Sequence, residues 1–228
     1  MKDVIFIFTG LIQEMGEILS IKGSSQSKKI KIKAKKVLEN VKIGDSIATN
    51  GVCLTVTSFS KDYFEADVMN ETIERSTLKR LSSGSKVNLE KSLTLNDFLG
   101  GHLVYGDVDC EGIIKKITKV GIAKIYRISL EKKYMKYIVE KGRISIDGAS
   151  LTVMNTGEDY FEVSLIPHTL EFITIGTKTT GDYENLETDM LAKYAEKILL
   201  SRDEIDYTDG DKKEKSKMSL DFLRKNGF

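Results

Sequence analysis

Apolar and polar residues alternate along most of the chain, in short bursts separated by glycine-rich breaks. Residues 29–34, Lys-Ile-Lys-Ile-Lys-Ala, have the period of two expected of a strand with one wet face. Tyr63–Met69 repeats that pattern with acidic residues on the polar side. Residues 46–49 and 53–59 predict two strands joined at Asn50-Gly51, a hairpin signal because both residues accept positive φ. A further strand is expected to begin at Phe8-Thr9-Gly10, after seven leading residues. Gly10 and Gly16 punctuate the first hairpin region, and Gly23-Ser24-Ser25 marks a turn. Between the strands, residues 35–41 predict a helical turn that Gly44-Asp45 ends, and residues 71–78 a short helical crossover. Residues 85–90 then close the unit.

The whole unit is then written again. Residues 144–187 repeat residues 47–90 with 16 identities in 44 positions, among them Asp62-Tyr63-Phe64-Glu65 as Asp159-Tyr160-Phe161-Glu162 and Asn88-Leu89-Glu90 as Asn185-Leu186-Glu187. Gly10 and Gly16 match Gly106 and Gly112 at a shift smaller by one, as a single-residue indel produces. Self-similarity of this kind marks a duplicated structural unit. About six short strands per copy argue a small closed or sandwiched β unit rather than a βαβ array. The expected division is 1–97, 98–188 and 189–228, with Gly100-Gly101 as a flexible joint.

Beyond Glu187 the period lengthens. Positions 191, 194, 195, 198 and 199 are apolar, the stripe of an amphipathic helix over 189–202, with Asp189 placed to cap its N-terminus. This helix has no copy in the first half, so its stripe is expected to pack on another chain; docking on its own barrel is the alternative. Residues 203–217 form a charged tail, followed by an apolar segment with Leu220, Phe222, Leu223 and Phe228.

A net charge of +1, with 40% hydrophobic and 30% charged residues, gives no long-range attraction to nucleic acid or anionic lipid. No apolar run approaches the roughly 20 residues of a membrane span, and the leading apolar run is too short for a signal-peptide core. Two cysteines, Cys53 and Cys110, and two histidines, His102 and His168, offer neither a disulfide framework nor a metal-ligand spacing. The expectation is a reduced, cytoplasmic chain without a metal.

Five blocks, in order, resemble the riboflavin synthase family: Phe8-Thr9-Gly10; the run from Gly44 through Asn50-Gly51-Val52-Cys53-Leu54-Thr55-Val56; Gly100-Gly101-His102-Leu103-Val104-x-Gly106; Ile146-Asp147-Gly148-x-Ser150-Leu151-Thr152-Val153; and Leu165-Ile166-Pro167-His168-Thr169-Leu170. The ending Phe222-Leu223-x-x-Asn226-Gly227-Phe228 is similar to that family too. The resemblance implies a mainly β fold, two tandem six-stranded Greek-key β-barrels, with a C-terminal α-helix that assembles a homotrimer. It implies dismutation of two molecules of 6,7-dimethyl-8-ribityllumazine to riboflavin and 5-amino-6-ribitylamino-uracil, with no cofactor. A four-carbon unit passes from donor to acceptor, and the N-terminal barrel of one subunit faces the C-terminal barrel of another.

The same resemblance assigns substrate contacts. In the first copy they are Phe8, Gly10, Leu11 and Ile12, then Ser46, Cys53, Leu54 and Thr55, then Asp67, Val68, Met69, Asn70, Glu71 and Thr72. In the second they are Gly106, Asp107 and Val108, then Lys141, Ser150, Leu151 and Thr152, then Ile166, Pro167, His168, Thr169, Leu170 and Glu171. Hydroxyls and backbone amides suit a pyrimidinedione edge and a ribityl chain, and Met69 and Ile166 suit the flat ring. For any one threonine, an ordinary β-former on a strand is the plainer reading. Candidate catalytic residues are Cys53, His102, Asp107, Ser150, Thr152 and Asp189. Cys53 stands opposite Ser150 across the repeat, and a thiol is the better nucleophile near neutral pH. That asymmetry predicts a larger loss of turnover from Cys53→Ser than from Ser150→Ala. A small buried hydrophobe is the alternative for Cys53. His102 is a candidate proton shuttle by its titration range, or a structural histidine beside Gly100-Gly101.

Two positions depart from the family pattern. Asp107 replaces a histidine, and seven residues precede Phe8 where the family usually begins at once. A non-catalytic lumazine or flavin carrier on the same fold is the second reading, which Asp107 favours. A flavin-dependent reductase lacks a Gly-rich dinucleotide fingerprint.

Overall fold

A computed structural model describes residues 7–94 and 96–202, with side chains through residue 200; the readings placed on residues 1–6 and on the tail beyond 202 lie outside them. The first half contains β1 (Glu14–Gly23), β2 (Ser27–Lys33), β3 (Ser46–Thr49), β4 (Val52–Phe59), β5 (Tyr63–Met69) and β6 (Lys86–Lys91). They close in the order β1-β2-β5-β4-β3-β6. The second half contains β7 (Cys110–Val120), β8 (Ala123–Ser129), β9 (Arg143–Ile146), β10 (Ala149–Thr156), β11 (Tyr160–Leu165) and β12 (Tyr183–Thr188). These close as β10-β11-β8-β7-β12-β9, the same cyclic order once each strand is matched to its counterpart. The two barrels are thus six-stranded, antiparallel and identically wound.

Even the irregularities recur. A bulge falls between Ile18 and Ser20 in β1 and between Ile114 and Lys116 in β7, and another between Val56 and Ser58 in β4 and between Val153 and Asn155 in β10. Bulges bend and twist a strand, so matched bulges carry matched corners. The crossover α1 (Asn70–Glu74) and the 3-10 turn Thr77–Arg80 recur as α3 (Pro167–Phe172) and the 3-10 turn Thr174–Thr177; Pro167 supplies a pre-set φ at the first turn of α3. A single helical turn, α2 (Lys132–Met135), joins β8 to β9.

Alternation fills each barrel. Ile18, Ile30, Ile32, Ile47, Phe64 and Leu89 are fully buried in the first core, and Ile114, Tyr126, Ile128, Ile144, Phe161 and Leu186 in the second. Each such apolar side chain contributes about 1.5–3 kcal/mol by leaving water. The barrels meet through their hairpins. Asn50 and Gly51 have φ 46° and 75°, and Asp147 and Gly148 have φ 44° and 82°, so both turns are of the twist-compatible type. The turns lie back to back, so close that a Cβ on Gly51 would sit 2.7 Å from the Gly148 amide nitrogen and one on Gly148 2.8 Å from that of Gly51. Around them, Asn88 Nδ2 donates to the Asp147 carbonyl (2.9 Å) and Asn185 Nδ2 to the Asn50 carbonyl (2.8 Å). The Thr174 amide donates to Asn88 Oδ1 and the Thr77 amide to Asn185 Oδ1.

The expected strand at Phe8 is absent: Phe8 makes one isolated bridge, and regular pairing starts at Glu14. Gly101 is a packed position rather than a loose joint, because a Cβ there would strike the Thr9 carbonyl oxygen and Ser150.

Contact density divides the chain into residues 1–194, which hold both barrels, and residues 195–228. The helix α4 (Met190–Arg202) spans that division and begins where Asp189 was expected to cap it: Asp189 Oδ1 accepts from the Leu191 amide at 3.0 Å. Leu191, Tyr194, Ile198 and Leu199 on its apolar stripe are exposed. No helix among the described residues is long and apolar enough to cross a membrane.

Candidate active site

Two connecting segments, 8–12 and 104–108, are the architectural key. Phe8 and Val104 exchange backbone bonds: the Phe8 amide donates at 2.7 Å and the Val104 amide at 3.1 Å. Both side chains are buried in a small junction core with Ala48 and Cys53. Each segment then leaves its own barrel for the other. The Gly10 carbonyl accepts from the Ser150 amide (2.8 Å), and Ile12 packs on the second core. The Gly106 carbonyl accepts from the Cys53 amide (3.1 Å), and Val108 packs on the first core. The sequence grouping of residues 10–12 with Cys53, and of 106–108 with Ser150, is therefore reversed. Glycine is required at both crossings, since a Cβ on Gly10 would lie 2.4 Å from Ser150 Cβ and one on Gly106 2.6 Å from Cys53 Cβ.

On the first barrel this produces a cavity of about 240 Å³ lined by Val52, Met69, Glu71, Thr72, Arg75, Ser76, Gly106, Asp107 and Val108. Met69 offers an exposed apolar face at its mouth. Asp107 belongs to this cavity, not to the side of Ser150. Cys53 stands behind Gly106. Burial pushes its thiol above the ordinary range, the Ser46 hydroxyl offsets this in part, and the Asp107 and Glu187 charges add to it. The thiol is thus held protonated near neutral pH, which weakens it as a nucleophile.

The corresponding place on the second barrel holds a different pair. His102 Nδ1 and Ser150 Oγ are 2.7 Å apart, and the His102 amide donates to the Thr9 carbonyl at 3.1 Å. Burial depresses the His102 pKa, the Asp189 charge pulls it partly back, and Arg143 depresses it further. A neutral imidazole against a hydroxyl is a proton-accepting arrangement. Asp189 thus caps α4 and lies within electrostatic reach of the histidine.

Strand parity separates the remaining predicted residues. Thr55 and Thr152 are exposed, two positions along from Cys53 and Ser150 on the same faces. Leu54, Val68 and Leu151 point into the cores, so their side chains cannot reach a ligand. Ser46 is buried beside β4. Asp67 pairs with Lys29 on the outer surface (2.8 Å), and the Asn70 amide donates to the Gln26 carbonyl. In the second copy Ile166, Pro167, His168 and Glu171 are exposed along α3, with Thr169 half-buried and Leu170 packed on the core. The His168 ring lies 4.9 Å from that of Phe172, extending an aromatic surface. Lys141 is held at φ 65°, where the other copy has Gly44 at φ 94°. A non-glycine residue in this region costs roughly 1–2 kcal/mol. Val52, Arg75 and Ser76, which line the first cavity, were not anticipated; Arg75 stands opposite Phe172 in the repeat, a difference visible in the sequence.

Two stretches, 9–92 and 105–189, match the family model of the lumazine binding domain. Riboflavin synthase of Actinobacillus pleuropneumoniae is 46% identical over 222 residues, covering 97% of this chain and 100% of that protein. Riboflavin synthase of Bacillus subtilis (strain 168) is 41% identical with the same coverage. Among solved structures, LumP complexed with riboflavin superimposes with a TM-score of 0.73 at 27% identity, covering 79% of this chain and 98% of that one. LumP complexed with 6,7-dimethyl-8-(1'-D-ribityl) lumazine gives 0.72 at 26% identity, with the same coverage.

Proposed function

The chain belongs to the riboflavin synthase family, and we propose that its two barrels each present one of the two identical substrates. The activity is riboflavin synthesis, in which two molecules of 6,7-dimethyl-8-ribityllumazine yield riboflavin and 5-amino-6-ribitylamino-uracil. The protein binds lumazine and riboflavin. One substrate lies at the cavity walled by residues 106–108 beside Cys53. The other lies beside Ser150 and His102, against Leu11 and the exposed face of α3.

The observation that carries this assignment is the 2.7 Å contact of His102 with Ser150, at the position where the other half has Cys53. Neutral His102 accepts a proton from a substrate methyl group, directly or through Ser150, while Asp189 stabilises the imidazolium that forms. Cys53, kept as a thiol, serves its own pocket as a soft wall and weak donor. This weighting places more of the proton transfer on Ser150 and His102 than the cysteine–serine contrast alone predicts. Holding both rings in fixed orientation replaces a bimolecular encounter by a near-intramolecular one, a large part of the barrier in such reactions.

The working boundaries remain 1–97, 98–188 and 189–228, and the working assembly is a homotrimer in the cytoplasm. What supports the trimer is the exposed stripe on α4, with Leu191 67% and Tyr194 57% accessible. In that assembly the first barrel of one subunit faces the second barrel of the next, so both pockets open on a shared cleft. Incubation with 6,7-dimethyl-8-ribityllumazine alone is the test of the activity. Riboflavin should accumulate with an equal amount of the uracil product, whereas coloured binding without turnover would make the chain a carrier. Leu191→Lys with Tyr194→Lys should give monomers by sedimentation and abolish turnover; an active monomer would overturn the shared cleft.

A further inference from the structure

Two glutamates carry no chemistry in the reaction above, yet both are 3% exposed and directed at the crossing segments. Glu90, on β6 of the first barrel, accepts from the Thr9 amide (2.7 Å) and Thr9 hydroxyl (2.6 Å) through one oxygen and from the Gly10 amide (2.9 Å) through the other. Glu187, on β12 of the second barrel, accepts from the Tyr105 amide (2.7 Å) and the Gly106 amide (3.0 Å). The same two glycines present their carbonyls to the Ser150 and Cys53 amides. A single glycine therefore links each carboxylate to the reactive position of the opposite barrel.

We propose that Glu90 and Glu187 are crossed positioning residues: Glu90, in the first barrel, sets the Ser150–His102 pocket of the second, and Glu187, in the second barrel, sets the Cys53 pocket of the first. The absence of space for a Cβ at either glycine leaves the segments no slack, so a shift at the carboxylate is transmitted to the pocket wall. On the Glu90 side the transmission is doubled, because the Thr9 carbonyl that follows Glu90's own contacts also receives the His102 amide. Buried carboxylates holding two amides are costly to deprive of either partner.

The two clamps differ in strength. Glu90 has the Thr9 hydroxyl as a third donor, whereas Tyr105 supplies none at the matching position. Burial raises both carboxylates above the ordinary range: Glu90 against the opposition of the Thr9 hydroxyl and the Thr9 and Gly10 amides, and Glu187 up to about 7, opposed by the Tyr105 and Gly106 amides and by Lys193, and assisted by Asp109. The other ionisable group whose titration Glu187 touches is the Cys53 thiol, which Asp107 also faces. A proton on Glu187 turns one acceptor oxygen into a donor facing an amide, so the Gly106 segment loosens as the pH falls through neutrality while the Gly10 segment keeps its extra bond.

The inference rests on the assignment of the two pockets but is tested without turnover. In the full-length assembled protein, Cys53 alkylation by iodoacetamide reports the first pocket; Cys110 stays silent because burial pushes its thiol to about 12. The imidazole signals of His102, separable from those of His168 by a His168→Gln background, report the second. Glu187→Gln should accelerate Cys53 alkylation several-fold and leave the His102 titration unchanged; Glu90→Gln should move the His102 titration and leave alkylation unchanged. Each variant acting on its own barrel's probe, or both acting on both, would overturn the crossing. In the unmutated protein, exchange of the Tyr105 and Gly106 amides, corrected for the intrinsic rate, should lose protection between pH 8 and 6 relative to Thr9 and Gly10. Parallel behaviour of the two pairs would overturn the role of Glu187 even if neither variant folds.

Discussion

The two barrels share a winding order, both bulges and the hairpin that joins them, yet they bury different chemistry. Where the first encloses Ile30, Leu81 and Val87, the second places Tyr126, Lys178 and Glu184 at the matching positions, and Asn50 is answered by Asp147. Lys178 Nζ lies 2.6 Å from Asp147 and 2.8 Å from Glu184. Burial pulls Lys178 down, but these two carboxylates hold it above its usual range. Burial and the neighbouring Asp147 push Glu184 well up. The apolar solution in the first half shows that the barrel does not need the ionic cluster to close. Buried ion pairs are weak contributors to stability but severe when broken.

That contrast has a direct test. Lys178→Met leaves two buried carboxylates without their cation and should cost about 3–5 kcal/mol in urea unfolding. Importing the first barrel's residues together, as Lys178→Leu, Asp147→Asn and Glu184→Val, should restore stability or exceed it by about 1–4 kcal/mol. If the triple variant is as unstable as the single one, the halves are not interchangeable in energy.

The two clamps differ next. Glu187 has a folded pKa raised to about 7 from 4.5. The protonated carboxyl grips its two amides less tightly but no longer carries a buried charge, so its net contribution to stability is fully present below the lower value and is lost as the pH rises through the upper one. The stability difference between the unmutated chain and Glu187→Gln should therefore drift by on the order of 3 kcal/mol across that window, falling on the unmutated side. A flat difference from pH 4.5 to 7 would remove Glu187 as a titrating group.

In the pockets, His102→Gln should lower kcat by about 10²-fold with a smaller change in KM, as expected for loss of a general base. Cys53→Ser should cost less than roughly tenfold, because a protonated thiol acts by fit rather than attack. The reverse order would restore the thiol as the principal reactive group. The junction between the barrels tests the symmetry itself. Gly51→Ala and Gly148→Ala each force a Cβ against the opposite turn and should each lower stability by roughly 2 kcal/mol. Melting midpoints that differ widely between them would show that the junction is symmetric in shape only.

Much of the architecture was legible because the repeat makes each half a control for the other. The span Tyr63–Met69 and the Asn50-Gly51 hairpin follow from parity and turn chemistry alone. Parity also held the answer for Leu54 and Leu151: alternation puts them on the faces opposite Cys53 and Ser150, inside the barrels, and the family resemblance overrode it. The crossing of residues 10–12 and 106–108 was not legible. A stretch between strands carries no period, so nothing local says which barrel it will lie against. The recurrence of Glu90 and Glu187 at a strand position otherwise reserved for burial was a signal of a shared backbone clamp, but spacing cannot name its partner.

The exchange of leading segments has a consequence for ancestry and for engineering. A lone barrel would carry a wall shaped for someone else's cavity and lack one for its own. Two copies of such a barrel would complete each other by trading those walls, so a pair held by reciprocal exchange is the natural forerunner of the fused chain. Anyone cutting the two halves apart should therefore expect each to seek a twin.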